Sequence, residues 1–242
     1  GSGTMSASFL AAASARHGGD AQPSTPPAAA DGATSEGKLR ERVRTSKRQP
    51  CVTLVPPSLS TVFNLEHSIH RPSRLLRDDI ELVFRPDLDD EYRRHEGGAA
   101  ANVEKADFLS QHLLVVPTWQ PAKMDLSEIA EQVNVVRRGL LESFDDWAAR
   151  VRKRLLPYWS DCSCPVDGCA RYGTKTPAIY NELDGLVTLL KYDALPVGCC
   201  GIVIHPRWFR SAYPVTFFTT APLEKLQAAI AEAERERQLE VD

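Results

Sequence analysis

Residues 129–157 read IAEQVNVVRRGLLESFDDWAARVRKRLLP. Ile129, Val133, Val136, Leu140, Phe144, Trp147, Val151 and Leu155 recur at three- and four-residue steps, which lines one face of a helix. Arg137, Arg138, Arg150, Arg152 and Lys153 occupy the rest of its circumference. Pro157 ends it, and Asp125 or Ser127 is the expected N-cap, with Glu128 in the first turn. Val133–Val136 also reads as strand, so helix is predicted over 138–156.

Working outward, Phe108–Trp119 reads as a strand stopped by Pro117 or Pro121. Tyr158–Cys164 is a short strand before a Pro165-Val166-Asp167-Gly168 turn. Asn181–Leu195 is apolar and partly helical. Gly198–His205 and Tyr213–Thr219 are β-branched and apolar runs, expected to pair as antiparallel neighbours. Leu223–Gln238, rich in Ala, Glu, Lys and Arg, closes as a helix. Strands and helices mix without regular βαβ alternation, so the expected class is α+β, with the main domain at 107–242.

The chain before residue 107 differs. Residues 1–4 look like a cloning scar. Met5–Gly37 is nearly free of large apolar residues, and residues 5–50 are expected to be a disordered arm. A mitochondrial targeting role is the alternative for Met5–His17, which lacks acids and contains Arg16. Lys38–Arg48 is a basic run read as solvated charge. Residues 51–106 read as a partly ordered arm. Val52–Val55 and Ile80–Phe84 are candidate strands, ended by Pro56-Pro57 and by Pro86, and 87–106 is a linker.

Composition excludes several classes. The 242 residues carry a net charge of −3 and 7% aromatics, against a dedicated nucleic-acid binder. No apolar run approaches the roughly 18 residues needed to span a membrane. Six clustered cysteines are too few for a disulfide-stapled secreted scaffold, so a soluble intracellular protein is expected.

The cysteines hold most of the chemical information. Cys199 and Cys200 stand between Gly198 and Gly201 at a predicted strand start, where successive side chains face opposite ways. The flanking glycines leave a thiolate open to a large group, which suits a soft metal ion or thiol exchange. Cys162, Cys164 and Cys169 form C-x-C-x₄-C, too irregular for the paired C-x₂-C of structural zinc. His205 follows Cys199 by six residues, about 20 Å along a regular strand, so the two form no nucleophilic dyad. His67 and His70 share a metal only if 66–71 is helical. No G-x-S-x-G elbow, P-loop or GxGxxG cradle is present, and no carboxylate pair stands out, so no enzyme is expected.

The segment Gly198-Cys199-Cys200-Gly201-Ile202-Val203-Ile204-His205-Pro206-Arg207-Trp208, with Phe218-Thr219-Thr220-Ala221-Pro222 after it, resembles the CblD family of cobalamin-trafficking proteins. Leu140–Phe144, Tyr158–Asp161, Pro165 and Gly168 extend the resemblance, which covers about 107–222. Cys162, Cys164 and Cys169 depart from the family pattern. The resemblance implies a nitroreductase-like sandwich that has lost flavin use. It also implies an adapter that binds a cobalamin-loaded CblC-like protein and serves methionine synthase or methylmalonyl-CoA mutase, in cytoplasm, mitochondrion or both. Cys199 is implied as the thiolate ligand of cobalt, beside Gly198, Cys200 and Gly201, with no cofactor held tightly by the isolated chain. A thiol- or flavin-dependent oxidoreductase and a zinc-stabilised interaction module are the other classes open to the sequence.

Overall fold

A computed structural model describes residues 50–96, 104–197 and 200–241, with the backbone alone at Glu96, Val197 and Cys200. The expectations for the arm before Pro50, for 97–103 and for Gly198 and Cys199 lie outside these residues.

Five strands form one antiparallel sheet: β1 (Val52–Ser60), β2 (Leu65–Arg71), β3 (Leu114–Pro121), β4 (Ser160–Cys162) and β7 (Ala212–Thr219). Their spatial order is β1-β2-β3-β7-β4. Alternation along the strands divides the core. Leu114, Val116, Tyr213, Val215 and Phe217 face one side, under α4 (Glu131–Leu155) and α6 (Leu223–Val241). Val115 and Phe218 face the other. That side is covered by α1 (Arg74–Val83), α2 (Arg85–Glu96), α3 (Lys105–His112) and α5 (Glu182–Leu190). The class is α+β, as expected, with the sheet between two helical layers.

The long helix begins earlier than 138. Val133 is fully buried on the same face as Phe144, Trp147, Val151 and Leu155, so packing settles the ambiguous Val133–Val136 segment as helix. Its N-cap is Ala130, without a side-chain cap, and Ile129 is exposed. Asp125 instead accepts from Ser127 N (2.8 Å) and Ser127 Oγ (2.6 Å), closing the preceding turn.

Several local readings change. Ile80–Val83 is the end of a helix with Phe84 as its C-cap, because Leu76, Ile80 and Val83 fall on one buried face behind an N-cap at Ser73. Pro86 starts rather than stops an element: it lies in the first turn of α2, where its missing N–H costs nothing. The stretch read as linker therefore holds α2 and the start of α3. Phe108–His112 belongs to α3, and the strand starts at Leu114. The first strand runs on through Pro56 and Pro57 to Ser60, with register shifts between Thr53 and Ser58. Prolines are tolerated there because β1 is an edge strand.

The expected pairing of Gly198–His205 with Tyr213–Thr219 is not made. β7 pairs with β3 along eight residues on one side and with the three residues of β4 on the other. Instead β5 (Ala194–Val197) and β6 (Cys200–Val203) form a separate two-stranded hairpin.

Tyr180 fixes the position of α5. Its buried ring packs edge-on against Phe218, with centroids 5.0 Å apart, and its hydroxyl lies where a Cβ on Gly185 would fall. Gly185→Ala is therefore expected to destabilise the fold by about 1–3 kcal/mol, the ordinary cost of overpacking, read as a lower denaturant midpoint at unchanged slope.

Candidate functional site: the cysteine-bearing hairpin and its histidine anchor

The β5–β6 hairpin pairs Ala194 with Val203, Leu195 with Ile202, Pro196 with Gly201 and Val197 with Cys200. Gly198 and Cys199 lie between Val197 and Cys200 in sequence and outside the described residues, so the facing of Cys199 relative to Cys200 is not described. The strand is shorter than predicted, ending at Val203. Gly201 has a structural use beyond clearance: a Cβ there would stand 2.6 Å from Leu183 Cδ1, so the glycine lets β6 lie close on α5. The outer strand is open. Ala194, Leu195 and Pro196 are exposed, and β5 has no second neighbour among the described strands.

His205 anchors the chain just beyond this hairpin. Its Nδ1 accepts from the backbone N–H groups of Arg207 and Trp208, each at 3.2 Å. Nε2 therefore carries the ring hydrogen and donates it to Glu66 Oε1 of β2 at 2.9 Å. Burial holds the imidazole pKa below its usual value although Glu66 pulls the other way, so the ring is neutral at pH 7. Trp208 stacks on it at 4.3 Å and 16°, with Trp119 (5.0 Å) and Tyr192 (5.5 Å) edge-on. Arg207 reaches the second Glu66 oxygen at 3.7 Å from the solvent side. A buried histidine with both nitrogens engaged and three rings packed around it positions its loop and is not free for acid–base work.

Glu66 was not legible as a site residue, since it lies 139 positions from its partner. Glu66→Ala leaves the buried Nε2–H without an acceptor and is expected to cost about 2 kcal/mol. Glu66→Gln, whose amide oxygen still accepts, should cost less than half of that. Urea unfolding of both variants checks the order.

The remaining predicted residues are dispersed. β2 is a strand, not a helix, so His67 and His70 point to opposite faces: His67 lies 6.4 Å from Trp147, while His70 bonds Ser68 Oγ at 2.8 Å. Cys162 is buried in the core beneath α4, its thiol pushed well up mainly by desolvation, and is separated from the partly exposed Cys164 and Cys169. Cys51 accepts from Ser73 N at 3.2 Å beside the start of α1. No group of three His, Cys, Asp or Glu that could hold a metal ion occurs among the described residues. No described helix is long and apolar enough to cross a membrane.

Fold and site together define a mixed α+β domain that displays a cysteine-bearing hairpin apart from its main sheet. Comparison with curated proteins gives the relationship. The chain is 29% identical over 159 residues to the cobalamin trafficking protein CblD of Homo sapiens and to that of Rattus norvegicus, a match covering 65% of this chain and 47% of each relative. The protein of the same name from Gallus gallus is 27% identical over the same length. Four such matches support CblD-family membership. The chain spans about half the length of these relatives, and no protein-family model matches it.

Proposed function

We propose that this chain is a non-enzymatic adapter in cobalamin trafficking, which offers the Cys199 thiolate to the cobalt of cobalamin held by a CblC-like partner. The observation that supports it most is the β5–β6 hairpin. It stands outside the main sheet, its strands end and begin at Val197 and Cys200 on either side of Gly198 and Cys199 in the sequence, its outer strand has exposed apolar residues, and the His205 anchor follows it. A thiolate carried this way can meet a metal on another protein, and the open β5 edge suits docking against that protein. The relatives are named as trafficking proteins, which supports a role other than catalysis. The nitroreductase-like ancestry of the sheet belongs to the same proposal. So do the delivery of cofactor to methionine synthase or methylmalonyl-CoA mutase and a place in cytoplasm or mitochondrion.

The testing experiment is a pull-down of purified chain with a CblC-like protein, loaded with cobalamin or empty. Retention that depends on cobalamin, with a change in the visible spectrum of the corrin, is the expected result. Equal retention without cobalamin and no spectral change would remove the thiolate–cobalt step. A flavin band in the chain purified alone would favour the oxidoreductase class instead.

A further inference from the structure

The turn after β4 contains a second thiol site, independent of the hairpin. Ser163 and Ala170 form an antiparallel bridge, and Cys164 N donates to Cys169 O at 2.8 Å. Cys164 and Cys169 therefore stand opposite each other at the mouth of the turn, joined by this single backbone bond while Cys164 O accepts from Gly168 N at 2.7 Å, and residues placed opposite in this way have Cα atoms about 5.5 Å apart. That lies inside the roughly 4.4–6.8 Å that a disulfide spans. Asp167 closes the turn between them: its Oδ1 accepts from Cys169 N at 3.0 Å, and the Cys169 sulfur approaches Asp167 O at 3.8 Å. Arg171 Nη1 stands 4.0 Å from the Cys164 sulfur, and Lys175 Nζ bonds Asp167 at 2.9 Å. Both cysteines are partly exposed free thiols, unlike the buried Cys162.

The geometry points to Cys164 and Cys169 as a reversible dithiol–disulfide site whose reaction partner is a low-molecular-weight disulfide of the glutathione class. The Cys164 sulfur, beside the guanidinium, attacks as thiolate. It takes one sulfur of the small disulfide, breaks its S–S bond and releases one thiolate, which takes up a proton. The Cys169 thiolate then attacks the Cys164 sulfur of the mixed disulfide and expels the second small thiol. Two electrons and two protons pass from the protein dithiol to the small disulfide, leaving a Cys164–Cys169 bond. Burial and the Asp167 carboxylate hold the Cys169 thiol above its usual pKa, which fits its role as the second, resolving group.

The test equilibrates the reduced full chain in glutathione buffers of graded poise, quenches with acid, alkylates, and maps peptides by mass. The expected product is a 164–169 link lacking two hydrogens, with little glutathione adduct. In Cys169→Ser the adduct should persist on Cys164, roughly tenfold above wild type, because the neighbouring thiol no longer acts at high effective concentration. Cys162 should alkylate only after denaturation, an internal check that both proteins are folded. Full alkylation of Cys164 and Cys169 in every buffer would overturn the proposal. So would stable adducts on both residues, or linkage of either to a different cysteine.

Discussion

Cys199→Ser is expected to abolish the cobalt–sulfur spectral change with cobalamin-loaded partner while leaving unfolding of the chain unaltered. Serine keeps the volume of cysteine but replaces a soft donor with a hard one that stays protonated at neutral pH. Since ligation requires the thiolate, the wild-type change should also grow as pH rises. Cys200→Ser is the control, because the resemblance selects the first cysteine of the pair; it should keep the spectral change. Loss with Cys200→Ser and retention with Cys199→Ser would reassign the ligand. Retention in both single variants would dismiss the thiolate step.

A second large effect is expected on acidification, from His70. Its side chain is 1% exposed between β1 and β3, bonded to Ser68 Oγ at 2.8 Å and in contact with Thr53 Oγ1 at 3.2 Å. Burial lowers its pKa from 6.5 to about 4. Between these values the unfolded chain holds a proton that the folded chain refuses, so stability falls as pH drops through that window and is unaffected above it. The difference amounts to roughly 3 kcal/mol. His67, His112 and His205, also lowered, act in the same direction. Asp79, Asp161 and Glu182 are raised by burial and act oppositely, since they take up protons more readily when folded. Comparison with His70→Gln separates the one group from the others. The stability advantage of wild type over the variant should shrink by about 3 kcal/mol between pH 7 and pH 4. Parallel curves from urea titrations would show that His70 titrates normally.

How legible these features were depended on whether the deciding interaction was local. The α4 face could be read because its apolar residues repeat with the helical period over seven turns, and the C-terminal helix because its composition is uniform. Ile80–Phe84 is ambiguous in sequence because five apolar-rich residues fit a strand and a helix alike, and only the burial of Leu76 and Ile80 together distinguishes them. Strand partners differ from the expected ones for another reason. Proximity in sequence favoured joining 198–205 to 213–219, whereas β3, nearly 100 residues earlier, had already taken that edge of β7. The cysteine pair stands out in the sequence by its flanking glycines. The Glu66–His205 contact does not, because nothing in either residue's local sequence marks a partner on a distant strand.

The prolines of β1 have a consequence for the protein at high concentration. Pro56 and Pro57 remove two N–H donors from the edge strand, and the register shifts beside them kink that rim. At the opposite rim β4 is only three residues long. Neither side offers a straight template on which another chain could continue the ladder, so crowding should not drive this sheet into fibres or swapped assemblies. Among the described strands, the edge left open to a further strand is that of β5 in the hairpin.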